Sequence, residues 1–176
     1  KQPKEVHSNL LAQLEWSFNL LSYSHQISET KQLRDYLRSF FMKADEYLSV
    51  KEYVIYLNEG SMIYQYKKER LYDKEIIKNF VYETLIEEIN DHGIDIADIP
   101  ENLKFDKNVI TQLPYKTDEI KFIYAFPMSH IGVFMVHMDK EIVDPSIYYD
   151  VFKMMSAMLV NQIIDEQKIE RLRNEN

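Results

Sequence analysis

The run Tyr53-Val54-Ile55-Tyr56-Leu57 is apolar on both faces of an extended chain. Successive side chains of a strand point to opposite faces, so a segment apolar at odd and even positions alike needs cover on both sides. It belongs in the middle of a sheet, and the rest of the chain must supply flanking strands and two covering layers. One flank follows at once. Asn58-Glu59-Gly60-Ser61, where Gly60 can take the positive φ of a tight turn, leads into a second strand at Met62–Lys67.

Helical periodicity brackets this hairpin. From about Thr30, the residues Leu33, Tyr36, Leu37, Phe40, Phe41, Ala44, Tyr47 and Leu48 recur at helical spacing and predict a wide apolar stripe. Lys31, Arg34, Asp35, Arg38 and Lys43 then form its solvated side. Upstream, Leu11, Leu14, Phe18 and Leu21 are spaced three, four and three in a helix expected over residues 8–24. That spacing suits a coiled-coil seam, and equally a helix packed on its own domain.

After the hairpin, Asp73 is expected to cap a helix whose stripe is Ile76, Ile77, Phe80, Val81, Leu85 and Ile89, closed by Gly93. Residues 94–119, punctuated by Pro100 and Pro114, offer little pattern beyond a short strand near 109–113. A second hairpin is plain at 121–127 and 131–138, around Met128-Ser129-His130. Asp144-Pro145 supplies an N-cap with Pro at the first helical position. The long helix that follows carries Tyr148, Val151, Phe152, Met155, Met158, Leu159 and Ile163. Past Ile164 only Ile169 and Leu172 are apolar, the pattern of a helix continuing toward a partner helix or another domain. The order of elements indicates an α+β domain with an antiparallel sheet.

Composition excludes several function classes. The 176 residues, 45% apolar with 13 Tyr and 9 Phe, fill one core without staples. With no cysteine there is no disulfide, thiolate zinc site, iron–sulfur cluster, cysteine nucleophile or thioether-linked chromophore. A net charge of −8 argues against duplex nucleic acid as a partner. No apolar run approaches 18 residues, so no membrane span is expected. The chain starts at Lys1 without a secretion-signal pattern and reads as a cytoplasmic segment of a longer protein.

Catalysis lacks a constellation: there is no Gly-rich phosphate loop, no nucleophile elbow, and no carboxylate pair beyond Glu87-Glu88. No cofactor is expected. His130 and His137 lack a third ligand at metal spacing and read as a turn residue and a half-exposed strand residue. His25 lacks the context of a phosphoacceptor. More suggestive are the aromatic strand faces, Met62, Tyr64 and Tyr66 on one strand and Phe122, Tyr124 and Phe126 on another. Such faces can stack on a planar ligand or can simply be core, and both readings stand.

The segment Phe126-Pro127-Met128-Ser129-His130-Ile131-Gly132-Val133-Phe134-Met135-Val136 resembles the signature hairpin of GAF domains. Pro127 and Gly132 fit that pattern, as do the acidic loop holding Ile142 and the helix Met155-Ser156-Ala157-Met158-Leu159-Val160-Asn161-Gln162-Ile163-Ile164. The resemblance covers about residues 28–168 and implies a GAF/PAS-like antiparallel sheet flanked by long terminal helices. It divides the chain into a dimerisation helix (1–27), a sensor domain (28–164) and an extension toward an output module (165–176). It also implies a non-catalytic sensor for a small molecule, a cyclic nucleotide such as cAMP being the first guess. The terminal helices would form a homodimer and pass the signal to a diguanylate cyclase or histidine kinase.

The ligand site it implies draws on Tyr64, Tyr66, Tyr124 and Phe126 from the strands. His92, Thr111 and Tyr115 join them from the irregular segment, where the family builds a wall over its ligand. The cyclic-nucleotide signature of the family is present only as fragments, Asn102, Lys104, Phe105 and Asp106, at the wrong spacing. The alternative is a ligand-free interaction module whose aromatic pocket is filled by its own side chains.

Overall fold

The computed structural model describes residues 2–28, 32–76, 104–105, 113–117, 119–142 and 145–175. In chain order these form α1 (Gln2–Ser28), α2 (Leu33–Asp45), β1 (Glu52–Leu57), β2 (Met62–Lys67), β3 (Arg70–Glu75), β4 (Lys104–Phe105), β5 (Phe122–Met128), β6 (Gly132–Met138) and α3 (Pro145–Glu175). They fall into two compact units, residues 1–49 with 162–176, and residues 50–161. The helix α3 contributes to both.

In the second unit the strands form one antiparallel sheet in the order β3-β2-β1-β6-β5-β4. β1 is central and buried at every position, as its two apolar faces require. Its turn to β2 is a 3-10 turn, Glu59–Ser61, with Gly60 at φ 79°. The second hairpin joins β5 to β6. At Gly132 a Cβ would overlap the carbonyl oxygen of Tyr56 on β1, so only glycine lets the two strands approach there.

One sheet face presents Tyr53 and Ile55 of β1, Tyr64 and Tyr66 of β2, Phe134 and Val136 of β6, and Tyr124 and Phe126 of β5. The start of α3 packs on this face. Phe126 lies 5.6 Å from Phe152 and 6.0 Å from Tyr149, ring centre to ring centre, and Tyr124 lies 5.8 Å from Tyr149. Each such ring stabilises the fold by about 1.5–3 kcal/mol through the apolar surface it removes from water. The Tyr124 hydroxyl accepts the backbone N–H of Ile142 at 2.9 Å, anchoring the acidic loop that precedes α3.

Sequence and structure part at β3. Asp73, expected to cap a helix, sits instead in a strand opposite Tyr64. The strand was concealed because it is an edge with only Leu71 buried, and because its turn, Lys68-Glu69, carries positive φ values of 49° and 65° without glycine or asparagine. Whatever remains of the expected helix from residue 77 to Gly93 lies outside the described residues. So does most of the strand expected near 109–113, of which Leu113 is in neither helix nor strand. Asp144 is also outside them, while Pro145 opens α3 as expected.

In the first unit α1 is longer than its periodicity suggested, because nothing in residues 2–7 and 25–28 interrupts it and Pro3 is tolerated in a first turn. α1 buries Trp16, Leu20, Ser24 and Ile27, and α2 buries Tyr36, Leu37, Phe40, Phe41 and Ala44. Trp16 stacks on Tyr47 at 5.3 Å, and the Ser24 and Tyr36 hydroxyls share a hydrogen bond of 2.6 Å. Burial pushes the Tyr36 phenol up to about 12, a rise the Ser24 hydroxyl only partly opposes. The seam read from the sequence lies on the other side of α1, with Leu14 53%, Phe18 69% and Leu21 39% exposed.

Candidate functional site

The opposite sheet face carries a polar cluster at its centre. Strand alternation puts Glu52, Val54 and Tyr56 of β1 there, with Ile63, Gln65 and Lys67 of β2 and Val133, Met135 and His137 of β6. Glu52 faces His137 directly in the β1–β6 register, and Gln65 stands diagonally across from Glu52 on β2. Both Glu52 and His137 have side chains with no exposure to solvent. The strand histidine expected to be half-exposed is therefore fully buried, because β6 lies inside the sheet rather than at its rim.

Hydrogen bonds compensate these buried polar groups. The Gln65 amide donates to Glu52 Oε1 at 2.8 Å and to the Lys116 carbonyl, also at 2.8 Å. His137 Nδ1 lies 3.2 Å from the same Glu52 oxygen. On the other side of the ring lies Nε2, whose donor or acceptor role follows the tautomer. It meets the Tyr115 hydroxyl at 3.4 Å, and the Tyr115 ring lies nearly parallel to the imidazole at 11° and 5.9 Å between centres.

Beside the cluster a groove of about 420 Å³ is lined by Ile63, Gln65, Lys67, Tyr72, Asp73, Lys74, Tyr115 and Lys116. That volume lies within the range of small-ligand sites. Three lysines against one aspartate make the groove locally cationic in a chain of net charge −8. The Lys67 ammonium sits 5.6 Å over the Tyr72 ring, and Lys74 donates to the Pro114 carbonyl at 3.2 Å. A second groove of about 440 Å³ runs between the end of β5 and α3, lined by Phe126, Pro127, Ser129, Lys153, Ser156, Ala157, Val160 and Asn161. It is slightly larger but holds a single charged side chain, and its chemistry is less convergent.

The residues singled out in the sequence divide between the two faces. Tyr64, Tyr66, Tyr124 and Phe126 share the face on which α3 packs, with Phe126 also reaching the second groove. Of the described residues in the implied ligand set, Tyr115 joins the polar cluster, beside the His137 weighed as a metal ligand. His92 and Thr111 lie outside the described residues. Glu52 and Gln65 carried no sequence signal, and His137 was weighed only with His130 as a weak metal pair, since no spacing links positions 52, 65 and 137. Only the strand register brings them together.

No family model matches the chain, and no curated protein matches it either. Among solved structures, a match of TM-score 0.51 and 16% identity is the GAF domain of A. aeolicus nlh2 in an inactive state, covering 86% of this chain and 97% of that one. The fold is GAF-like. The hairpin containing Pro127 and Gly132, from which that fold was expected, forms β5 and β6 here. Among the described residues no helix is long and apolar enough to cross a membrane.

Proposed function

We propose that this chain is a regulatory sensor domain rather than an enzyme, and that a small ligand bound on the polar-cluster face controls an attached output module. The observation that carries this reading is the Glu52–Gln65–His137 cluster, fully hydrogen-bonded in mid-sheet and opening onto a cationic groove. Lysines 67, 74 and 116 favour an anionic group, Tyr72 offers a ring face, and the Gln65 amide can orient a polar edge. A planar anion fits that set, and a cyclic nucleotide such as cAMP is the first member of the class to test. The seam of Leu14, Phe18 and Leu21, with Ile169 and Leu172 on α3, is apolar surface suited to a second copy of the chain. Those helices would carry the signal to a module such as a diguanylate cyclase or histidine kinase.

The test is a thermal-shift screen of the purified domain against cyclic mono- and dinucleotides, purines and amino acids, with calorimetry on any hit. A ligand at 100 times its dissociation constant adds about 2.7 kcal/mol, a rise of several degrees for a domain of this size. Lys74→Ala and Gln65→Ala should weaken binding while Tyr124→Phe leaves it intact. The reverse pattern puts the ligand on the α3 face instead. If nothing shifts the domain and mass spectrometry of the denatured protein finds no co-purified compound, the interaction-module reading takes its place.

A further inference from the structure

The segment 113–117 is in neither helix nor strand, yet it crosses the polar face of the sheet and is tied down by three different strands. Lys74 of β3 holds the Pro114 carbonyl, Gln65 of β2 holds the Lys116 carbonyl, and His137 of β6 takes the Tyr115 ring and hydroxyl. Each of these three ties is made by a strand side chain and lies outside the backbone ladder of the sheet. Between its two carbonyl ties, Tyr115 sets a ring nearly parallel to the imidazole and offset from it, 5.9 Å between centres, with its hydroxyl 3.4 Å from Nε2. Those are the contacts a planar ligand with a hydrogen-bonding edge would make in the same place. Tyr115 and Lys116 also line the groove, so an incoming molecule meets the segment first.

Resting on the sensor reading above, we infer that Tyr115 is an internal occupant of the seat over His137, and that a ligand ring must displace it. The segment 113–117 is then a latch: closed in this structure, and open when the ring of a bound ligand replaces the tyrosine. Lys74 and Gln65, which hold the two carbonyls in the closed form, become available to the ligand as the segment lifts. Binding at the groove is thereby coupled to movement of a chain segment.

The latch can be tested without knowing the ligand. Diethyl pyrocarbonate acylates accessible imidazole nitrogens, and peptide mass spectrometry reads each histidine separately. His25 and His130 are exposed and serve as internal references, while His137 is buried with Nε2 against Tyr115. In the intact chain His137 should react far more slowly than His130. Tyr115→Ala should raise its rate by about tenfold or more with His130 unchanged, and Tyr115→Phe, which keeps the ring and loses the hydroxyl, should lie between. Circular dichroism of each variant confirms that the sheet is retained.

Equal protection of His137 in Tyr115→Ala overturns the latch, and so does a His137 that reacts as fast as His130 in the unaltered chain. Any compound found in the screen should bind Tyr115→Ala more tightly, by about tenfold if the open form is a tenth of the population. Unchanged or weaker binding makes Tyr115 part of the ligand's own platform and also refutes the proposal. A screen with no hit counts against the sensor reading alone, and the histidine chemistry still judges the latch.

Discussion

Replacing Gly132 by alanine tests the packing of β1 against β6 at its tightest point. The new Cβ would overlap the Tyr56 carbonyl oxygen and stand 3.0 Å from that carbonyl carbon and 3.2 Å from Leu57 Cα, all of them backbone atoms. A carbon rests comfortably about 3.3–3.6 Å from a carbonyl oxygen, so the start of β6 must retreat by more than about an ångström. Three hydrogen bonds stand at this end of the hairpin. Asn58 N–H donates to Ile131 O at 2.9 Å, Asn58 Nδ2 to His130 O at 3.0 Å, and Ile131 N–H to Met128 O at 3.1 Å.

A retreat of that size carries the two Asn58 bonds beyond hydrogen-bonding range, at about 1 kcal/mol each. Overpacking strain adds about 1–3 kcal/mol. The total is about 3–5 kcal/mol, or roughly 6–20 °C in melting temperature at about 2–4 °C per kcal/mol. Urea unfolding followed by circular dichroism measures it. Gly60→Ala is the control: its Cβ finds ordinary contact with Met62, so only the positive φ of 79° opposes it, at about 1–2 kcal/mol. A Gly132→Ala variant within 1 kcal/mol of the parent, or no worse than Gly60→Ala, would refute the steric argument.

Three further outcomes follow from the same structure. Lys68→Asn with Glu69→Gly should raise stability by about 1–2 kcal/mol, since the φ values of 49° and 65° suit those residues better, and the urea midpoint checks it. Tyr36 ionises near 12 in the folded chain against 10.0 unfolded, so its neutral form stabilises the fold fully below pH 10 and that contribution is lost as pH rises toward 12. The stability of the parent relative to Tyr36→Phe should therefore fall by roughly 2 kcal/mol across that window, a comparison that cancels the other 12 tyrosines. Glu52→Ala leaves the Gln65 amide and the His137 imidazole without their shared acceptor and should cost about 2–4 kcal/mol. A cost below 1 kcal/mol would mean that water replaces the carboxylate.

The parts of the fold legible in the sequence are those where one periodicity dominates. α2 shows its stripe over four turns, and the two hairpins show glycine at the turn or a Pro–Gly frame around it. β3 was hidden because an edge strand with one buried residue looks like solvated chain, and its turn uses residues that do not advertise positive φ. On α1 the visible 3-4-3 seam is exposed at Leu14, Phe18 and Leu21, while the buried stripe mixes Trp16, Leu20, Ser24 and Ile27 and so reads weakly. The site was less legible still. Aromatic faces drew attention to Tyr124 and Phe126, whereas Glu52 and His137, 85 residues apart, acquire meaning only once β1 and β6 are paired.

That pairing has a consequence for how the sheet assembles. Strands that are apolar on both faces lack the inside–outside contrast that ordinarily fixes alignment, and sliding β1 by two residues along β6 would exchange one greasy neighbour for another. Glu52 breaks that degeneracy. When β1 and its hairpin partner β2 slip together along β6, the carboxylate keeps the Gln65 amide but is buried without the His137 imidazole, at a cost of about 1–3 kcal/mol. The three polar side chains thus act as a combination lock across β2, β1 and β6, closing only when all three strands are in step.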